Sequence, residues 1–343
     1  MPKESEGRIA TLDGLRAVSI VLVLFSHITG TTNFPLIPHT EWLAEAGVRT
    51  FFVISGFLIT TLLLREREKT GRVSLRDFYV RRAFRIFPAF YTYIAVIAVL
   101  VMAGVLVVSK VDFAFAITYA MNFHEHRSWY LGHMWSLAVE EQFYVLWPLL
   151  LVALGTRRAL IFALGAVALA PVLRVGALVV WPSISGLTDQ AFPFVFDSIA
   201  LGCVLAIMRP KLEEWPPYRR LITARWFWLV PLVLIPTLII QRPIIDLGFS
   251  TTAANVGIAL AIHRCVMMPD TRVGRVLELR GFVWLGTLSY SLYLWQQPFL
   301  DRHDTGWWAA FPVNVGLALA LACVSYYLIE KPWLRLGRRF RPR

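Results

Sequence analysis

The sequence predicts an all-α membrane bundle, with about ten spanning helices and one short re-entrant or interfacial segment. Three observations predict it. Of the 343 residues, 57% are hydrophobic and only 16% charged, with a mean hydropathy of +0.60. The apolar residues gather in runs close to the ~20 needed to cross a bilayer. The cations crowd into alternate loops. A soluble chain of this length would carry more charge and divide into domains. A membrane span must satisfy its own backbone polar groups, so runs of this length read as helices.

The spans are placed at 9–30, 42–64, 87–108, 133–155, 158–180, 190–209, 225–241, 247–267, 282–300 and 309–330. The first run is long and has no small-residue cleavage site before the next polar stretch, so it is expected to stay as a span. Pro88 is expected to start the third. The stretch "DFAFAITYAMNF" (112–123) is apolar but short, hence its re-entrant assignment. Cys203, Cys265 and Cys323 fall inside apolar runs without metal-ligand spacing, which suits plain packing. No internal repeat of the kind that builds many transporters stands out. The expectation is a single membrane-embedded domain over residues 1–343.

With the N-terminus in the cytoplasm, the inner loops receive "REREKTGRVSLRDFYVRRAFR", "TRR", "RPKLEEWPPYRR", "PDTRVGRVLELR" and the tail "EKPWLRLGRRFRPR". The outer loops keep mainly Lys110, Arg127, Arg242 and Arg302. This asymmetry puts both termini in the cytoplasm of a multi-pass protein of the plasma (inner) membrane. The net charge of +12 is therefore topological and meets lipid headgroups; no nucleic-acid partner is expected.

Polar residues inside the runs carry the functional signal. In "LDGLRAVSIVLVLFSH" (12–27), Asp13, Arg16 and His27 share one helix face, because Arg16 and His27 are about three turns apart. Asp13 and Arg16 can pair, and His27 lies about 16 Å further along the helix. Charge facing lipid is costly, so this stripe faces the protein interior or water. Imidazole is the side chain suited to proton exchange near neutral pH. An interfacial anchor arginine is the structural alternative for Arg16.

"HMWSLAVEEQFYVLWPLL" (133–150) brings His133, Trp135, Ser136, Glu140, Glu141 and Tyr144 to one membrane end of a span. Adjacent carboxylates on a helix point about 100° apart. Glu140 shares its face with His133, Ser136 and Tyr144 and is the chosen carboxylate. A solvated helix start with an aromatic belt would need no special role. In "SLRDFYVRRAFRIFPAFY" (74–91), Arg81, Arg82 and Arg85 crowd one inner segment. They could bind the phosphates of a cytoplasmic ligand or anionic lipid.

These clusters, in this order, resemble the acyltransferase 3 family of integral membrane acyltransferases. The likeness runs through "LDGLRAVSIVLVLFSH", "GVRTFFVISGFLI" (47–59), "FYVRRAFRIFP" (78–88), "HMWSLAVEEQFYVLWP" (133–148), "FDSIALGCVLA" (196–206), "LGTLSYSLYLWQQP" (285–298) and "SYYLIEKPW" (325–333). It implies transfer of an acyl group, often acetyl, from a coenzyme A thioester to a hydroxyl of an extracytoplasmic carbohydrate or a small metabolite. It also implies His27 as the essential histidine, Arg16 as the arginine of the first motif, Arg82 and Arg85 as donor-handling, and Glu140 as the acidic residue of the W-S-L motif. Ser55, Tyr290, Tyr293 and Gln296 join His133, Trp135, Ser136 and Tyr144 as expected acceptor or cavity residues. One departure is visible: Gln296 stands where histidine is common, and an amide cannot shuttle protons at neutral pH.

On this reading acyl-CoA is a co-substrate and no cofactor is held permanently. His27 acts as base or transient acyl carrier, Asp13 and Arg16 position the donor or organise the cavity, and Glu140 orients the imidazole or acceptor. A transporter or flippase using the polar stripe as its path is the competing class. No G-x-S-x-G elbow, H-E-x-x-H motif or P-loop is present. His124, His126 and His133 gather only loosely, and no metal is expected.

Overall fold

A computed structural model describes residues 9–240 and 243–340. Arg242, counted above among the outer cations, lies outside the described residues, as do Arg341, Pro342 and Arg343 of the tail. The described residues form helices and no strands. In chain order these are α1 (Ala10–Ile28), α2 (Glu41–Thr70), α3 (Leu75–Met102), α4 (Lys110–Ile117), α5 (Trp129–Gly132), α6 (Met134–Val180), α7 (Phe192–Glu214), α8 (Pro216–Thr223), α9 (Leu229–Leu234), α10 (Pro243–Ile245), α11 (Thr251–Met267), α12 (Arg272–Leu277), α13 (Arg280–Trp295), α14 (Val313–Val324) and α15 (Lys331–Gly337). Short 3₁₀ turns punctuate them, and π-helical turns at Asp246–Ser250 and Ser325–Glu330 lead into α11 and join α14 to α15.

Among the described residues, 6 helical segments are long and apolar enough to cross a membrane: Ala10–Ile28, Glu41–Thr70, Leu75–Met102, Trp129–Val180, Phe192–Glu214 and Val313–Gly337. This is a multi-pass membrane protein. The remaining expected spans differ for identifiable reasons. The two expected at 133–155 and 158–180 run together as α6, broken where Gly155 takes φ 74 and ψ 165. That conformation is costly for any residue with a Cβ, so glycine marks the join. The stretch expected at 225–241 is helical and apolar only over Leu229–Ile239. Those expected at 247–267 and 282–300 form α11 and α13, 17 and 16 residues long.

The proline expected to open the third span does not do so. α3 runs unbroken through Pro88 from an N-cap at Ser74, whose hydroxyl accepts from Asp77 N at 3.3 Å. Arg81, Arg82 and Arg85 therefore sit on the same helix as the span. Proline at 88 removes the N–H that would serve the Phe84 carbonyl, and membrane helices tolerate such a proline where neighbouring groups take up the freed backbone. The short stretch at 112–123 is α4, a left-handed Tyr119 (φ 53) and a 3₁₀ turn at Met121–Phe123.

The chain divides into two compact units. One takes in α1 as far as Val23, His39–Arg65 and Leu150–Thr287; the other takes in Leu24–Pro38, Glu66–Leu149 and the chain from Leu288 onward. The first unit is built on backbone-to-backbone approach. A Cβ on Gly56 would lie 2.0 Å from Ile199 O, and one on Gly202 would lie 2.2 Å from Val53 O, so α2 and α7 meet through two glycines. A Cβ on Gly14 would meet Leu277 O at 2.2 Å, and one on Gly286 would meet Asp13 O at 1.8 Å. Small residues at such crossings gain dispersion contacts where lipid offers no hydrophobic drive. Leu12, Val53, Ile54, Phe57, Leu205, Ile258 and Ile262 fill the core beside them.

In the second unit α15 and the turn after it pack on the first half of α3. Phe84 stacks on Trp333 and Phe340 at centroid distances of 5.6 and 5.9 Å. Arg81 joins this packing, donating to Phe340 O at 2.6 Å and to Glu66 Oε2 at 3.2 Å.

Candidate active site

The chemistry-bearing residues expected from sequence fall mostly in the second unit. His27, near the end of α1, is half-buried. Its Nδ1 lies 3.1 Å from Oε1 of Gln296, a fully buried residue just past α13. A carbonyl oxygen can only accept, so this contact places the proton on Nδ1 and leaves Nε2 as the basic nitrogen. The Trp129 ring meets the imidazole edge-on at 5.3 Å. Trp129 is itself fixed by Gln297: its indole N–H donates to Gln297 O at 2.7 Å, and Gln297 Nε2 donates to Trp129 O at 2.9 Å. Arg302 donates to Ser26 O at 3.2 Å and ties down the same end of α1.

Next to this group, His133 is buried between two tyrosines. Tyr93 meets its ring edge-on at 5.5 Å, and Tyr293 lies at 5.4 Å. The Tyr293 hydroxyl lies 3.0 Å from His133 O, to which it donates, and 2.7 Å from Ser136 Oγ, with which it shares a hydrogen bond. Neither ring nitrogen of His133 has a side-chain hydrogen-bond partner among the described residues. His133 lies within electrostatic reach of His27. Trp135 is partly buried on the same turn.

The two carboxylates of α6 are not sorted into one facing in and one facing out. Glu140 accepts from Tyr144 Oη at 3.3 Å, while Glu141 keeps a buried Oε1 with no hydrogen-bond partner among the described residues. Both act on Tyr290 through space. The Arg82 guanidinium lies 3.9 Å above the Tyr144 ring and close to Glu141. Tyr119 stacks on Phe90 at 4.1 Å, and burial followed by the nearby Glu141 pushes its phenol well up. Tyr290 donates to Ile86 O at 3.0 Å. Arg85 is exposed and within electrostatic reach of Glu330, which accepts from Ser291 Oγ. Of the four arginines of α3, Arg81 is occupied in packing, Arg82 lies over the Tyr144 ring and Arg85 faces the Glu330 carboxylate electrostatically.

The remaining expected residues belong to the first unit. Asp13 and Arg16 pair at 3.2 Å, both largely buried. Ser55 is buried on α2. His124, one of the loosely gathered histidines, lies 3.2 Å from Asp112 and stacks on Phe115. Reading the sequence missed Trp129, Gln297, Tyr119 and Glu330. Glu330 was within sight: it is a lone acid at the end of an apolar run, inside a quoted motif. Trp129 offered no signal beyond being aromatic.

A family model described as an acyltransferase domain matches residues 9–329. A Staphylococcus aureus (strain COL) protein, named by inference as an O-acetyltransferase, is 30% identical over 96% of this chain and 58% of its own length. The O-acetyltransferase OatA of Staphylococcus aureus (strain NCTC 8325 / PS 47) is 28% identical over 95% of this chain and 57% of its own. The chain thus spans a little over half the length of these relatives. No solved structure matches it.

Proposed function

The chain belongs to the acyltransferase 3 family, and from that premise we propose that it is an O-acyltransferase moving an acyl group, acetyl by preference, from acyl-CoA to a hydroxyl of an extracytoplasmic carbohydrate or other hydroxylated acceptor. The observation that carries the mechanism is the 3.1 Å contact between His27 Nδ1 and Gln296 Oε1. It supports Nε2 as the base. Nε2 takes the acceptor's hydroxyl proton, the oxygen attacks the thioester carbonyl, the C–S bond breaks, and the imidazolium returns its proton to the departing thiolate. Attack by Nε2 itself, giving a transient acyl-histidine, uses the same nitrogen.

Arg82 and Arg85 are assigned to the donor's phosphates, where guanidinium groups make paired, charge-assisted hydrogen bonds. Arg16, held by Asp13 about three turns before His27 on α1, adds positive charge for the donor. Glu140, Tyr144, Ser136, Tyr293, Tyr290, His133 and Trp135 are assigned to the acceptor side. The basic loops support both termini in the cytoplasm of an inner membrane, about ten crossings in all, and residues 1–343 acting as one membrane domain.

The test is reconstitution in lipid nanodiscs with radiolabelled acetyl-CoA and a cell-envelope glycan fraction. Base-labile label on glycan, lost in His27→Ala, is the expected result. Glycan movement across a sealed bilayer without any acyl donor, and no label, would replace this reading with a transporter.

A further inference from the structure

Charged residues that the acyl-transfer reading does not use gather at one end of the first unit. Arg174, near the end of α6, and Asp197, in the second turn of α7, are 1% and 0% exposed and pair at 3.1 Å. Thr252 Oγ1 accepts from Arg174 at 2.7 Å and donates to Asp197 at 3.0 Å. Arg174 also donates to Leu247 O and Phe194 O. This pair is fully satisfied, and it forms the floor of the cluster.

Above it the hydrogen bonding is incomplete. Arg49 on α2 is 4% exposed; its Nε and Nη2 both reach Glu45 Oε1 at 2.7 Å, while Nη1 is buried with no hydrogen-bond partner among the described residues. Asp246 keeps a buried Oδ1 with no hydrogen-bond partner among the described residues. Arg49, Asp189 and Asp246 lie within electrostatic reach of one another and of the Arg174–Asp197 pair. Burial, followed by Glu45 and Asp189, lifts the Asp246 carboxyl to about 6. Exposure falls steadily inward: Asp189 is exposed, Glu45 and Asp246 are partly covered, and Arg49 and the floor are buried. All these residues sit at the helix ends away from Arg209, Glu213 and His263, and the basic-loop argument makes that end extracytoplasmic.

The ligand chemistry follows from the leftover atoms. Burying an unpaired donor and an unpaired acceptor within electrostatic reach of each other is expensive unless something satisfies both. The bridging group must accept from Arg49 and donate to Asp246, which a hydroxyl does. Two guanidiniums against the four carboxylates of Glu45, Asp189, Asp197 and Asp246 leave the cluster net negative, which disfavours phosphate and other anions. A purely cationic ligand would leave Arg49 Nη1 unpaired. Among the described residues no three His, Cys, Asp or Glu side chains are grouped to hold a metal ion.

We propose that this end of the first unit binds a polyhydroxylated ligand, a carbohydrate or polyol, with adjacent hydroxyls bridging Arg49 and Asp246 and Glu45 and Asp189 at the rim. The ligand's role as acyl acceptor rests on the function proposed above; its binding does not. The experiment therefore omits the acyl donor. The full chain in nanodiscs is titrated with chitotetraose and with isomaltotetraose, followed by saturation-transfer NMR. Saturable binding of at least one probe is expected, weakened about tenfold or more by Arg49→Gln and by Asp246→Asn, since each removes a hydrogen bond to a charged group. Asp189→Asn, at the exposed rim, guards against misfolding and should weaken binding less. Native protein that binds the sugar but, given acetyl-CoA, transfers no acyl group would count against the proposed function alone. No saturable binding of either sugar, equal binding by Arg49→Gln and Asp246→Asn, or displacement by inorganic phosphate would overturn the site, water alone bridging the two atoms.

Discussion

Gln296→Leu should slow acyl transfer without weakening the donor, and the size of the effect follows from one contact. In the resting site Gln296 Oε1 accepts from His27 Nδ1 at 3.1 Å. Between neutral groups such a bond contributes about 0.5–1.5 kcal/mol net. When Nε2 takes the acceptor's proton, the ring becomes an imidazolium and the same bond is charge-assisted, worth about 1.5–3 kcal/mol. The leucine variant loses that support in the transition state and also lets the imidazole choose the other tautomer. Because the resting bond is lost as well, only the difference of about 1–1.5 kcal/mol counts; at 1.36 kcal/mol per tenfold, kcat should fall roughly 5- to 13-fold, with the KM for acetyl-CoA little changed. The assay is initial-rate release of CoA thiol with glycan acceptor. The independent readout is solid-state NMR of ¹⁵N-histidine protein, where His27 should show a protonated Nδ1 and an unprotonated Nε2 in the native protein and a mixture in Gln296→Leu. Gln296→His, which can accept through a ring nitrogen, should recover part of the rate. A native His27 with its proton on Nε2, or unchanged turnover in Gln296→Leu, would refute the reasoning.

Three further outcomes are expected. His27→Ala should insert and fold but lose about 10²- to 10⁴-fold in transfer rate, measured by label reaching the glycan; near-native turnover would remove it from the chemistry. Arg82→Ala and Arg85→Ala should each weaken acyl-CoA binding by about 10- to 150-fold, the equivalent of one lost charge-assisted contact, in calorimetric titration; unchanged donor affinity with reduced binding to anionic vesicles would make them lipid contacts. Gly286→Leu should lower the detergent melting temperature sharply, because a Cβ there would lie 1.8 Å from the Asp13 carbonyl, and overpacking typically costs about 1–3 kcal/mol; a stable Gly286→Leu would mean that α1 and α13 part easily.

Much of the architecture was legible because lipid imposes a length. Runs over 9–30, 42–64 and 190–209 return as α1, α2 and α7 with ends shifted by a few residues. The errors have local causes. Pro88 reads as a boundary in water, yet α3 passes through it, as membrane helices allow. The run ending at 241 reads as a span, but its helix is short, and α11 and α13 fall just below the length of a full crossing. Within the candidate site, helical spacing reached what one helix decides: Asp13 pairs with Arg16, and Tyr144 with Glu140. It could not reach contacts between distant segments. Gln296 looked like the loss of a proton-carrying histidine, and only its contact with His27 gives it a positioning role. Arg174 and Asp197 were lone charges in apolar runs, the kind that demand a partner, but sequence does not say that each is the other's.

The motifs that carried the family resemblance split by physical role, and the split changes how substitutions in them should be read. Gly14 of the first motif, Gly56 of the second, Gly202 of "FDSIALGCVLA" and Gly286 of "LGTLSYS" each sit where a backbone carbonyl of another helix lies within 2.2 Å of the missing Cβ. Their requirement is steric and would hold whatever the protein catalysed. Gln296, Tyr293, Ser136, Arg82 and Tyr144 touch one another or His27 through polar atoms and ring faces. Their requirement is chemical. Loss of activity in a glycine variant therefore argues nothing about mechanism unless the protein still folds. A Gln296, Tyr293 or Arg82 variant that keeps its melting temperature and loses transfer does bear on mechanism. Comparing activity with thermal stability across both sets tests this division. Activity should track stability for the glycines and separate from it for the polar residues. A Gln296→Leu protein as unstable as Gly286→Leu would place Gln296 with the packing residues and leave His27 without its positioning partner.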